Sequence, residues 1–122
     1  MGVDTLYVHA SGAETATGQS AAFDTTHITS AALDVNLTAL TGGTAPTLTF
    51  SLQRLGADGV WYTAWTQAAA MSATGPASFE LGPSSPAAQL VIFTTQARLV
   101  WTFGGTAPPT SVAFSASLIG RS

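Results

Sequence analysis

The chain has 122 residues, no cysteine, and a formal net charge of -3 at pH 7 built from three arginines and six acids, with no lysine. That length suits one domain with one core, and the lack of cysteine excludes a disulfide scaffold and a thiolate metal site. Only 7% of residues are charged, against about 25% in ordinary soluble domains, and Arg54, Arg98 and Arg121 are too few and too scattered to make nucleic acid an expected partner.

A surface of Thr, Ser, Ala and Gly is cheap to desolvate, because few ions must be stripped of water on contact. Interface cores are depleted in charge for the same reason. The composition therefore points to a protein that works inside an assembly. A host genome rich in GC, which favours Ala, Gly and Thr over Lys, accounts for the same numbers, and both causes can act together.

The first six residues carry neither a basic n-region nor an apolar h-region, so no secretory signal is expected. Leu6 stands where N-myristoylation needs Ser or Thr. The longest apolar run, residues 90–93, is far short of a membrane span, so no membrane partner is expected.

Taken in chain order, residues 1–29 read as an N-terminal arm, or as an edge strand plus a loop, and residues 30–122 as the main fold of a single domain. A strand is expected over residues 5–10, with Tyr7 and His9 on the face away from Leu6 and Val8, which leaves His9 exposed. Residues 11–20 are small and polar, without a clear period. Leu33, Val35 and Leu37 then alternate with Asp34, Asn36 and Thr38, and Leu48, Phe50 and Leu52 with Thr49, Ser51 and Gln53. Such a period of two describes a half-buried strand.

The Gly42–Gly43–Thr44–Ala45–Pro46 run separates those two strands. Asp58–Gly59 is a hairpin signal ahead of a strand over residues 60–65. In it Trp61 and Trp65 should share one face and Tyr62 take the other. Two further strands are expected over residues 77–81 and 89–94, with Gly82, Pro83 and Pro86 between them. Leu99, Trp101 and Phe103 alternate, as do Val112, Phe114, Ala116 and Leu118. The first run repeats as Gly104–Gly105–Thr106–Ala107–Pro108, so two equal devices should start two strands in equivalent places. About eight short strands with regular turns give an all-β fold, an antiparallel β-sandwich of jelly-roll-like form. Leu48, Phe50, Trp101 and Phe114 should be buried.

The search for chemistry returns little. His9 and His27 are the only side chains whose ordinary pKa suits a general base near neutrality. Asp24 and His27 can be drawn as a carboxylate–imidazole pair, but no Gly-x-Ser-x-Gly elbow accompanies them. Read plainly, His27 is a polar loop residue. Glu14 and Glu80, the only glutamates, have nothing that brings them together as a glycosidase pair. No catalytic residue, cofactor or metal is expected, and the chain is not read as an enzyme. The aromatic group Trp61, Tyr62 and Trp65 suits core packing, sugar stacking or a protein hot spot; core packing is the expectation for Trp61, and Trp65 stays open.

The series Gly43–Thr44–Ala45–Pro46–Thr47–Leu48, a strand ending in Gln53–Arg54–Leu55, and then Asp58–Gly59–Val60–Trp61–Tyr62 resembles small virion proteins of tailed phages. Thr74–Gly75, Arg98–Leu99–Val100–Trp101 and a second Gly-Thr-x-Pro strand extend the likeness from Leu33 to Gly120. It is to the capsid-decoration, cement or minor structural kind, and implies a virion location after synthesis in the host cytoplasm. It also implies partners among the major capsid protein or other virion proteins, and a homo-oligomer with a trimer favoured.

The contact would be made by turns and one aromatic: Gly42, Gly43, Thr44, Pro46, Pro83, Pro86, Gly104, Gly105, Pro108 and Trp65. For each loop residue the alternative is a turn with no partner. Two other functions stay open. One is a tail, adaptor or head-fibre protein. The other is a carbohydrate-binding module, which needs Trp65 or Tyr62 exposed on a flat face.

Overall fold

In the computed structural model the described residues are 3–82 and 93–121. They form nine strands and no helix: β1 (Val3–Glu14), β2 (Gly18–Gln19), β3 (Phe23–Asp24), β4 (Ser30–Thr41), β5 (Thr44–Leu55), β6 (Trp61–Thr66), β7 (Gly75–Leu81), β8 (Gln96–Ala107) and β9 (Ser111–Arg121). One antiparallel sheet has the order β1-β9-β4-β7. The other runs β2-β8-β5-β6, with β3 also paired to β8. Here they are called the first and second sheet.

Successive strands alternate between the sheets, save within β2–β3 and the β5–β6 hairpin. Two interlocked four-strand sheets wound this way are a jelly roll. The count of nine, rather than about eight, arises because β2 and β3 are two short pieces that share one place beside β8. No sequence period marks pieces two residues long; side chains hold them instead. The Ser20 Oγ accepts from the Leu99 amide at 2.9 Å, and the Thr17 Oγ1 from the Phe103 amide at 3.0 Å.

The alternations fix the core. Leu33, Leu48, Phe50, Leu52, Leu99, Val112, Phe114 and Leu118 are fully buried between the sheets, and Trp101 is 5% exposed. Their alternates face outward. Phe50 and Phe114, one from each sheet, meet edge to face with ring centroids 5.1 Å apart. Thus the four residues expected to be buried are buried.

Two strands depart from simple alternation. In β6 the pairing runs Leu52 with Trp65 but Gln53 with Thr63, so Ala64 is an extra residue. This β-bulge turns the strand between the two tryptophans. Trp65 faces the core beside Leu52, while Trp61, opposite Leu55, faces outward; the two do not share a face, and the core tryptophan is Trp65 rather than the expected Trp61. In β1 the register shifts between Thr5 and Tyr7 and again between His9 and Gly12. Tyr7 and His9 do share a face, but it is the core face, and Val8 is the exposed residue at 60%. The expectation of an exposed His9 fails for that reason. The core wall there is aromatic, and an imidazole fits it.

The residues expected to form the strand over 89–94 lie partly outside the described residues. Phe93 and Thr94 are not in a strand. The region after Trp65 forms no helical turn: Met71 bridges to Leu48, and the Gln67 Oε1 accepts from the Phe50 amide at 3.1 Å.

Candidate functional site

The two Gly-Gly-Thr-Ala-Pro runs lie side by side at one end of the sandwich. Thr44 pairs with Ala107, Pro46 with Gly105 and Thr47 with Gly104. They are therefore not equivalent strand starts. In the first, Gly42 and Gly43 carry the chain from the first sheet to the second. In the second, Gly104 and Gly105 lie within β8, and residues 108–110 carry the chain back.

The glycines are demanded by this packing. Gly43 has φ 74°, and a Cβ there would stand 2.5 Å from the Ala107 carbonyl oxygen. Gly105 has φ 105°, and its Cβ would run into the Ala45 carbonyl oxygen. Thr110 ties the corner by donating from its amide to the Thr41 carbonyl at 2.9 Å. Gly42, Thr44 and Pro108 are exposed at this end, and Pro46 is half-buried. Pro83 and Pro86 lie outside the described residues.

Trp65 is 5% exposed and packs on Phe79 with centroids 5.1 Å apart. A side chain so covered cannot serve as an interface residue or a sugar platform, because the bulge at Ala64 has turned it inward. The accessible aromatics of that hairpin are its neighbours. Trp61 lies on the outer face of the second sheet under the Arg98 guanidinium, 4.4 Å from the ring centroid. Arg98 Nε also donates to the Gln53 Oε1 at 2.7 Å. Tyr62 is 47% exposed, and its hydroxyl donates to the Asp58 Oδ2 at 2.6 Å. That bond, with one from the Val60 amide, holds the Asp58 carboxyl below the usual carboxylate range. It pushes the Tyr62 phenol up.

The histidines are far from each other in role. His9 stacks on Phe114 and meets Trp101 edge-on, at 4.1 Å and 5.4 Å between centroids. Its Nε2 lies 2.9 Å from the Glu14 Oε1. His27 is exposed, and Asp24 turns instead to Thr26, whose amide and hydroxyl donate to its Oδ1 at 2.9 and 2.6 Å. Those bonds, the hydroxyl's first, lower the Asp24 pKa. Glu14 and Glu80 sit on β1 and β7, the opposite edges of the first sheet, about 14 Å apart across three strand spacings alone. Among the described residues no group of three or more His, Asp or Glu could hold a metal ion.

A shallow trough of about 710 Å³ lies on the outer face of the first sheet. Its floor comes from the outward alternates of β4 and β9, including Asn36, Ser115 and Ser117, and its rims from Val8 on β1 and Pro76 on β7. Asp34 is its charged residue, and the Ser78 hydroxyl donates to it. Neither the trough nor the role of Pro76 was visible in the sequence.

The comparisons with known proteins are empty. No protein-family model, no curated protein and no solved structure matches this chain.

Proposed function

We propose that the chain is a structural protein of a phage virion, of the decoration or cement type, that binds the outer head lattice and stiffens it. The observation that carries this reading is the pair of sheet faces. On the first sheet the outward residues of β4 and β9 are Ala32, Asp34, Asn36 and Thr38 with Ala113, Ser115 and Ser117. On the second they include Thr47, Thr49, Ser51, Thr63 and Thr102 beside Gln53, Gln96, Leu55 and Val100, with Arg98 stacked on Trp61. Both faces are cheap to desolvate, and the jelly roll is an architecture that viral capsid proteins share with lectins. Many copies bridging neighbouring capsomers would strengthen a shell by multivalency.

The exposed Tyr62 favours a second reading, recognition of a carbohydrate, since a flat aromatic ring stacks on a sugar face. Co-sedimentation with capsids that lack the protein separates the two. Saturable binding at a fixed copy number per capsomer is the expected result. Failure to bind, with closed rings formed by the protein alone, would move the assignment to a tail or adaptor. Retention on a glycan column that Tyr62→Ala abolishes would move it to sugar recognition.

A further inference from the structure

Asp58 is the only aspartate followed by glycine; Asp4, Asp24 and Asp34 precede Thr5, Thr25 and Val35. The difference bears on a reaction of the backbone itself. The amide nitrogen that follows an aspartate can attack the side-chain carboxyl and close a succinimide ring. A β-branched successor crowds that nitrogen, and glycine leaves it bare.

The turn between β5 and β6 exposes both Asp58 and Gly59. Gly59 stands at φ 81°, and a Cβ built on it would meet nothing within 4 Å. No packing therefore shields this peptide bond. Hydrogen bonds do. The Val60 amide donates to the Asp58 Oδ1 at 3.0 Å and the Tyr62 hydroxyl to the Oδ2 at 2.6 Å. Both favour the anion, and the Asp58 carboxyl is accordingly held below the usual carboxylate range. A carboxylate is the wrong partner for the attack, because its oxygen leaves only once protonated. The attacking atom is engaged as well. The Gly59 amide donates to the Gly56 carbonyl at 3.0 Å, in a turn closed by the Gly56 amide on the Val60 carbonyl at 2.8 Å. Of these bonds, the one from Tyr62 is made by a side-chain donor, so it can be withdrawn without rebuilding the backbone.

We propose that Asp58–Gly59 is a site of isoaspartate formation in this chain and that the Tyr62 hydroxyl holds it closed. In the first step the Gly59 nitrogen bonds to the Asp58 Cγ, and a carboxyl oxygen leaves as water with the carboxyl and amide protons. In the second step water adds back to the ring. Breaking the bond between the Gly59 nitrogen and Cγ restores aspartate. Breaking the bond between that nitrogen and the main-chain carbonyl carbon of Asp58 makes isoaspartate: the main chain now runs through Cγ, one methylene longer, and the former main-chain carbonyl is the free carboxylate. No oxidant, cofactor or partner takes part, so the site stands independently of the virion reading. The longer turn moves the carboxylate away from Tyr62 and loosens the start of β6, where Trp61 carries Arg98. Release of Tyr62 and conversion of Asp58 thus reinforce each other.

The test is incubation of the full chain in heavy-oxygen water, since each opening of the ring fixes one solvent oxygen at this residue. Trypsin cuts after Arg54 and Arg98, and between them Asp58 is the only aspartate and no asparagine occurs. Label in that peptide reads the site, and chromatographic separation of its isomers reads the product. Folded wild type should label several-fold more slowly than the chain held in urea. Tyr62→Phe keeps the ring of an exposed residue and should label several-fold faster than wild type while its thermal melt and the exchange of the Gly56 and Gly59 amides stay unchanged. Asp58→Glu, whose ring would be one atom larger, should take up hardly any label.

Folded wild type that labels as fast as the unfolded chain would overturn the proposal, as would a folded Tyr62→Phe that labels no faster than wild type. Wild-type label in Asp58→Glu would place the reaction elsewhere. Faster labelling of Tyr62→Phe together with freely exchanging turn amides would assign the protection to the backbone turn and overturn the role of the hydroxyl.

Discussion

The His9 imidazole lies flat on the Phe114 ring, with centroids 4.1 Å apart and planes 19° from parallel. Each ring nitrogen faces an oxygen: Nε2 the Glu14 Oε1 at 2.9 Å, and Nδ1 the Phe114 carbonyl at 3.2 Å. One side chain therefore clamps the edge strand β1 to β9 through both its face and its rim.

His9→Ala should destabilise the fold by about 2 kcal/mol. A stacked aromatic pair contributes roughly 0.5–1.5 kcal/mol beyond its burial, and a hydrogen bond near 1 kcal/mol is lost with it. His9→Phe keeps the stack and should recover more than half. Urea unfolding of the two variants measures both. A neutral His9→Ala would mean that β1 contributes nothing to the folded state in solution.

Phe50 and Phe114 join the two sheets across the middle of the core. Both are fully buried, so Phe50→Ala should cost about 3–5 kcal/mol by lost transfer energy and the cavity left behind. Phe50→Leu keeps much of the volume and should cost less than half of that. Denaturant midpoints with an unchanged m-value decide it. A near-neutral Phe50→Ala would place the residue on the outer face and invert the register of β5.

Strict alternation made most of the core legible. Leu33, Val35 and Leu37, or Val112, Phe114 and Ala116, need no tertiary information to be assigned a face. Trp61 and Trp65 show where this stops. Their even spacing predicts one shared face, and a single bulged residue, Ala64, reverses it. His9 was hidden for a related reason, since the inward face of β1 is set by the bulges near Leu6 and Ala10 rather than by which alternates are apolar. The trough was out of reach altogether. Asn36 and Ser115 can be read as outward residues, but only the strand order brings Pro76 and Val8 to either side of them.

The Tyr62–Asp58 hydrogen bond gives the hairpin a pH window. Asp58 is held below its ordinary value of 3.8, first by the Tyr62 hydroxyl and then by the Val60 amide. Its contribution is present above that ordinary value and disappears as pH falls through the lowered one. Tyr62 is held above its ordinary value of 10.0 by the same bond. Its contribution is complete below that value and disappears as pH rises through the raised one. In Tyr62→Phe the Asp58 carboxyl carbon should titrate at higher pH than in wild type, as followed by NMR. An unchanged titration would show that the bond is not held in solution.

The corner where the two Gly-Gly-Thr-Ala-Pro runs pair offers a comparison between adjacent glycines. At Gly105 the backbone has φ 105°, and a Cβ would run into the Ala45 carbonyl, which belongs to a paired strand and cannot swing aside. At Gly104 a Cβ would stand 3.0 Å from the Thr47 Oγ1, which a side-chain rotation can move away. Gly105→Ala should therefore cost about 3 kcal/mol or more, adding steric displacement to the roughly 1–3 kcal/mol of a strained backbone region. Gly104→Ala should cost about 1 kcal/mol or less. The measurement is a pair of thermal unfolding curves. Equal shifts for the two variants would mean that the corner is loose enough for β5 and β8 to part there. The exposed Thr44 and Pro108 would then stand on a yielding tip rather than a rigid one.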